Sequence, residues 1–192
     1  MAVSRFTSTP LMIAAVWLLI GTAAVGIQHW GAPQAEARRA FEQELSRYSA
    51  LRTRLEEPLP AFDDPRRDGW TRLLMRRYLA SAIRTARRDA EPGCIFGPAA
   101  LFIRETIAGA VYDVDIEGLI EGGVDEEEFA LDLALNEPIP SSAMSPLPAP
   151  LAERLPALPQ AIEYRIAAGA LILWDTRAEI LVDVLPDAFV AP

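Results

Sequence analysis

The stretch from Asp113 to Gly118 is the one place where residue types and spacing suggest ion chemistry. Asp113, Asp115 and Glu117 alternate with apolar residues and precede a glycine, as at the start of a calcium-binding loop. Such a loop needs a bidentate Glu at its twelfth position, where this sequence has Val124. Carboxylates at every second position are also typical of the solvent face of a half-buried strand, which needs no ion. We therefore expect no bound metal. A calcium site formed by these three carboxylates is the alternative.

The residues needed for nucleophilic catalysis are scarce in this chain. His29 is the sole histidine and borders an apolar segment, while Cys94 is the sole cysteine. Ser-His-Asp or Cys-His catalysis, histidine-based metal sites and internal disulfides are therefore disfavoured. The glycines between Gly118 and Gly123 lack the lysine of a phosphate-binding loop. The sequence predicts a non-enzymatic protein without a cofactor.

An arginine-rich helix is predicted from Pro65 to about Ala90, with Asp64 as its cap. At about 100° per residue, one half of it is apolar: Leu74, Met75, Tyr78, Leu79, Ala82, Ile83 and Ala86. The other half carries five basic residues: Arg76, Arg77, Arg84, Arg87 and Arg88. The helix can lie on anionic lipid headgroups, bind an acidic protein, or pack its apolar half on the domain core. All three interpretations fit the pattern.

Charge is distributed unevenly along the chain. Residues 1–90 contain 14 Arg and 9 acidic residues, whereas residues 91–192 contain 4 Arg and 18 acidic residues. The first half is therefore basic, with a net charge of 14 − 9 = +5, and the second acidic, at 4 − 18 = −14. An acidic distal domain repels phosphates, so nucleic acid is not an expected partner.

The helix expected before the arginine-rich one covers Gln34 to Glu57, between Pro33 and Pro58. Four apolar residues recur along it at helical spacing: Phe41, Leu45, Tyr48 and Leu55. Arg52 occupies the position where a fifth apolar residue would complete the row. The row is suited either to docking a partner helix or to packing on this chain's own next helix.

The segment from Pro10 to Ile27 contains no charged residue over eighteen positions, which is about the length that a helix needs to cross a bilayer. Residues 1–9 form a short polar head with Arg5, and His29 and Trp30 follow the segment like interfacial residues. We interpret it as an uncleaved transmembrane helix with a cytoplasmic N-terminus. A cleaved signal peptide with a site near Ala24 is the alternative.

The distal half is predicted to be β-rich. Tyr112–Glu117 and Phe129–Leu135 alternate like strands, and residues 137–160 form a proline-rich strap. Three short runs rich in β-formers end the chain and predict an antiparallel meander: Glu163–Ala167, Ala170–Asp175 and Glu179–Val184.

The predicted fold class is therefore α+β: a single transmembrane helix at 10–27, a helical membrane-proximal segment at 28–90, and an acidic β-rich domain at 91–192. We expect a single-pass accessory or scaffold subunit of the bacterial inner membrane with a periplasmic domain. Its expected partners are the lipid bilayer and other subunits of a respiratory, photosynthetic, secretion or pilus complex. The alternative is a tethered or secreted periplasmic domain that binds a ligand or metal.

Overall fold

The computed structural model describes the backbone of residues 11–62, 64–111 and 133–189, and the side chains of residues 32–62, 64–110 and 133–189. Two compact units divide the chain, residues 1–36 and 37–192, and the architecture below is that of the second. Within the described part the protein is α+β, with four α-helices and a four-stranded antiparallel sheet. The predicted fold class is confirmed at this level.

The predicted transmembrane helix is not supported by the structure. Among the described residues, no helix has the length and apolar character needed to cross a membrane. The side chains of residues 10–27 lie outside the described residues, so the span stays a prediction.

Helix α1 covers Leu11–Glu56 and contains Pro33, so it begins before the predicted start at Gln34. Helix α2 covers Gly69–Ala86, and a 3₁₀ turn at Gly97–Ala99 leads into α3 at Ala100–Val111. A second 3₁₀ turn, Ser141–Ala143, precedes the two-residue strand β1 at Ser145–Pro146 and the short helix α4 at Ala149–Ala152. The strands predicted at Tyr112–Glu117 and Phe129–Leu135 fall wholly or mainly on residues outside the described part.

The meander at the end of the chain is confirmed to within one residue at each boundary. Strands β2, β3 and β4 cover Ile162–Ala167, Ala170–Asp175 and Ile180–Leu185, and the sheet order is β1-β2-β3-β4. Ala168 and Gly169 join β2 to β3 with positive φ angles of 47° and 71°, as a two-residue type I′ hairpin requires.

Both faces of the sheet are covered, which explains why β4 is buried along its whole length. On one face, side chains such as Leu171, Leu173 and Val182 pack in a large core with residues of α1, α2 and α3. On the other face, Ile172 and Leu181 pack in a smaller cluster with Ile139, and residues of the proline-rich segment cover them.

The proline-rich segment lies against its own domain. Leu147, Leu151 and Leu155 are buried in the large core, and β1 pairs with the outer edge of β2. Because proline lacks an amide donor, the segment pairs with the sheet only briefly: two residues form β1 beside β2, and Pro138 bridges to Ile180 of β4.

Candidate docking surface

Helix α2 begins at a cap that differs from the one expected. The Asp68 carboxylate accepts hydrogen bonds from the Thr71 amide (2.7 Å) and the Thr71 hydroxyl (3.1 Å). These bonds lower the pKa of Asp68 because they favour its charged form. The expected cap, Asp64, instead accepts the Arg66 amide in the preceding loop at 3.0 Å. Asp64 and Asp68 both follow turn residues, so the local sequence alone did not show which of them caps α2.

The apolar residues of α2 lie on two different faces. The buried face consists of Met75, Leu79, Ala80 and Ile83. Leu74 and Tyr78, which the sequence grouped with that face, are instead 48% and 55% exposed. The expectation of a single apolar half was therefore too broad.

Trp70, Leu74 and Tyr78 form a second face, which we call the exposed row. Trp70 is 65% exposed, and the three residues are spaced four apart, so they drift by only about 40° per step around the helix. The apolar half predicted from the sequence did not include Trp70. Its spacing to Leu74 and Tyr78 was the signal that identifies this face.

Two of the five predicted interaction arginines on α2 and its end form ion pairs with the acidic half of the chain. Arg76 binds Glu179 at 2.6 Å and Arg84 binds Glu137 at 2.7 Å. Both pairs are about 40–46% exposed, so each contributes little to stability. These arginines connect α2 to the segments beside the sheet.

Arg87 is held more firmly than the arginines of those pairs. It donates to the Asn136 side chain (2.8 Å) and the Val182 carbonyl (3.0 Å), and its guanidinium lies 5.0 Å from the centre of the Tyr48 ring. It also contacts the Cys94 sulfur at 3.2 Å. Arg87 is therefore a structural residue that joins helix, loop and sheet.

Arg77 and Arg88 are the two predicted interaction arginines that point to solvent. Arg88 pairs only with its neighbour Asp89, and Arg77 makes no ion pair within the described residues. On the helix Arg77 lies about 20° from Trp70, next to the exposed row. α2 contains no acidic residue, so nothing on the helix itself neutralises this face.

The apolar row predicted on α1 lies in the core of this chain. Phe41, Leu45 and Tyr48 are 0–4% exposed, and Leu55 is partly buried against the same core. Phe41 stacks on Phe96 with ring centroids 5.8 Å apart. Of the two interpretations left open, packing within the chain describes these residues.

Two buried carboxylates, Asp175 and Asp183, were not identified from the sequence. Asp175 accepts the amides of Arg177 and Ala178 at 2.9 and 3.0 Å and the Tyr48 hydroxyl at 2.8 Å. Burial beside this carboxylate raises the pKa of Tyr48 well above its ordinary value. Asp175 therefore closes the β3–β4 turn and attaches α1 to it.

Asp183 holds the loop before α3. Its two oxygens accept the amides of Gly93 (2.7 Å), Ile95 (2.8 Å) and Phe96 (2.7 Å). Burial raises the pKa of Asp183 above its usual value, in opposition to these three donors. Neither Asp175 nor Asp183 lines a cavity described below, so their geometry is that of structural groups.

Two neighbouring cavities share Phe62, Gln160 and Arg177 in their walls. The larger, of about 670 Å³, is lined further by Arg52 and Glu56, and the smaller, of about 450 Å³, by Arg72 and Arg76. Arg177 pairs with Glu56 and lies 5.8 Å from the centre of the Phe62 ring. The smaller cavity has three arginines and no carboxylate among its described lining residues.

The described residues contain no group of three His, Cys, Asp or Glu side chains placed to hold a metal. The candidate carboxylates Asp113, Asp115 and Glu117 lie outside those residues, as does the His29 side chain. Comparison of the chain with protein-family models, with characterised proteins and with solved structures finds no match.

Proposed function

We propose that the protein is a non-enzymatic, single-pass accessory subunit of a larger bacterial inner-membrane complex, with its folded domain in the periplasm. The observation that carries the proposal is the exposed row, a surface that a bilayer or a neighbouring subunit would cover. Three large apolar side chains stand in solvent on a helix whose opposite face is fully packed. A surface of this kind is typical of a domain that is covered by something else in its working state.

The uncharged stretch Pro10–Ile27 supports the membrane part of the proposal, since its length suits one bilayer crossing. The non-enzymatic part is supported by the way the titratable groups are used. Asp175 and Asp183 are occupied by amide donors, and Arg87 by three protein acceptors, so each has a structural task.

Mild-detergent extraction of the tagged full-length protein, followed by a native gel and mass spectrometry, tests this function. We expect co-migration with a complex much larger than the 21.0 kDa chain, and the partners would identify the assembly. Migration at the mass of a monomer or dimer would contradict the proposal. The intact mass of the same sample distinguishes a retained N-terminal segment from a cleaved one.

A tethered or secreted domain that binds a small ligand is the second candidate, favoured by the smaller cavity. Arg76 and Arg177 in its wall already pair with Glu179 and Glu56, so Arg72 is the arginine that suits a carboxylate or phosphate group. A midpoint of thermal unfolding that rises with millimolar phosphate or citrate, and does not rise in Arg72→Gln, would favour this candidate. If phosphate or citrate raises the midpoint no more than sodium chloride of equal ionic strength does, the second candidate is refuted.

A further inference from the structure

We propose that the exposed row of α2 lies on the anionic headgroup surface of the membrane in which the chain is anchored. The inference rests on the proposed function for the anchor alone, and it concerns what covers Trp70, Leu74 and Tyr78. It adds a lipid contact made by the folded domain to the predicted transmembrane helix.

The residue types of the row suit a lipid interface. Trp70 and Tyr78 combine an apolar ring with a polar edge, and such residues concentrate at the level of the headgroups. Leu74 stands between them, and the row is about 12 Å long from the rise of 1.5 Å per residue. A helix that lies parallel to the membrane surface can bring all three side chains to the interface together.

The charge of α2 complements an anionic surface. The helix contains four arginines and no acidic residue, and two of these arginines, Arg76 and Arg84, already pair with Glu179 and Glu137. Arg77 lies beside the row and makes no ion pair within the described residues. The nearest carboxylate in sequence, Asp68, already accepts two hydrogen bonds from Thr71.

The row by itself is too small to be a stable protein interface. A stable protein interface takes about 20–30 residues from each side, and the row has three. A tethered domain needs only a weak contact, because an anchor holds it at an effective concentration of about a millimolar near the surface.

The chain carries a reporter at the right position. Its four tryptophans are Trp17, Trp30, Trp70 and Trp174. Full-length protein with Phe at the other three positions keeps Trp70 as the only tryptophan, and a matched variant keeps only Trp174, on strand β3. Each is reconstituted into vesicles of phosphatidylcholine, or of phosphatidylcholine and phosphatidylglycerol at about three to one, with brominated acyl chains as the quencher.

We expect bromolipid to lower Trp70 fluorescence at least about twofold in the phosphatidylglycerol vesicles and to leave Trp174 nearly unchanged. Arg77→Gln should weaken the quenching, and so should about 0.5 M salt, because both reduce the attraction between arginine and lipid phosphate. Leu74→Asp, a change at an exposed site, should abolish it.

Trp70 that is quenched no more than Trp174 in these vesicles would overturn the inference. Quenching that disappears as the protein-to-lipid ratio is raised would also overturn it, by assigning the row to a second copy. Extraction of the same vesicles with alkaline carbonate tests the anchor separately. If the protein resists extraction but Trp70 is not quenched, the anchor of the proposed function stands and the lipid contact of the exposed row is refuted.

Discussion

Asp183 illustrates how one buried carboxylate organises a loop that the sequence leaves undefined. The amides of Gly93, Ile95 and Phe96 converge on it across about 90 residues of chain. The loop contains Gly93, with a φ angle of 81°, a conformation that glycine adopts without strain. The carboxylate supplies acceptors for amides that would otherwise be buried and unpaired, so the loop has one preferred arrangement.

The raised pKa of Asp183 predicts the sign of a pH dependence. In the unfolded chain an Asp loses its proton at about pH 3.9, whereas folded Asp183 loses it at a higher pH. The stability linked to this group is therefore fully present below about pH 4 and is lost as the pH rises through the folded pKa. We expect the free energy of unfolding of the wild type, minus that of Asp183→Asn, to decline as the pH rises from about 4 through the folded pKa of Asp183. Above that pKa the difference should stay constant. Denaturant titrations at a series of pH values measure it, and a difference that grows with pH would contradict the assignment.

At the scale of elements, the strands were predictable and the faces of α2 were not. Alternating β-formers between short turns define β2, β3 and β4 locally, so their pattern was sufficient. The helical period, in contrast, predicts which residues share a face of the helix, but it does not predict which of them contact the core. Leu74 and Leu79 look alike in sequence, and only their tertiary surroundings separate them.

The two leucines provide a matched pair of substitutions within one helix. Leu79→Ala should lower the free energy of unfolding by about 2–5 kcal/mol, because Leu79 is fully buried and the change leaves a cavity. Leu74→Ala should change it by less than about 0.5 kcal/mol, since this side chain stands largely in solvent. Helix propensity is nearly the same for both changes, so the difference isolates burial. Equal losses would show that the exposed row is packed in the folded protein.

Residues far apart in the chain also explain what sequence reasoning missed at the candidate surface. Arg76 and Arg84 meet Glu179 and Glu137, which are 103 and 53 positions away. No local pattern in the sequence assigns such distant partners. Of the five predicted interaction arginines, Arg77 is the one that lies beside the exposed row.

For the molecule as a whole, the second half of α1 belongs to the folded domain. Phe41, Leu45 and Tyr48 pack in the large core, and Tyr48 is bonded to Asp175 on strand β3. The beginning of the second compact unit and the end of the chain are therefore interdependent.

Two truncations test this dependence. A chain that starts at Ala37 should unfold in one cooperative thermal transition, because it keeps every described residue of the large core. A chain that starts at Pro58 should lack that transition, since it exposes the apolar groups that Phe41 and Leu45 cover. Near-UV circular dichroism and calorimetry distinguish the outcomes. A cooperative transition in the shorter chain would show that α1 is dispensable to the fold.

Cys94 gives the domain a ready position for spectroscopy. It is the only cysteine in the chain, it is exposed, and its sulfur lies beside the Arg87 guanidinium. Because partial burial raises the pKa of the thiol, reaction with a maleimide should be slow near neutral pH and accelerate in mild alkali. A single fluorophore can thus be attached to the native sequence, and energy transfer to labelled lipid would then test whether the domain lies close to a bilayer.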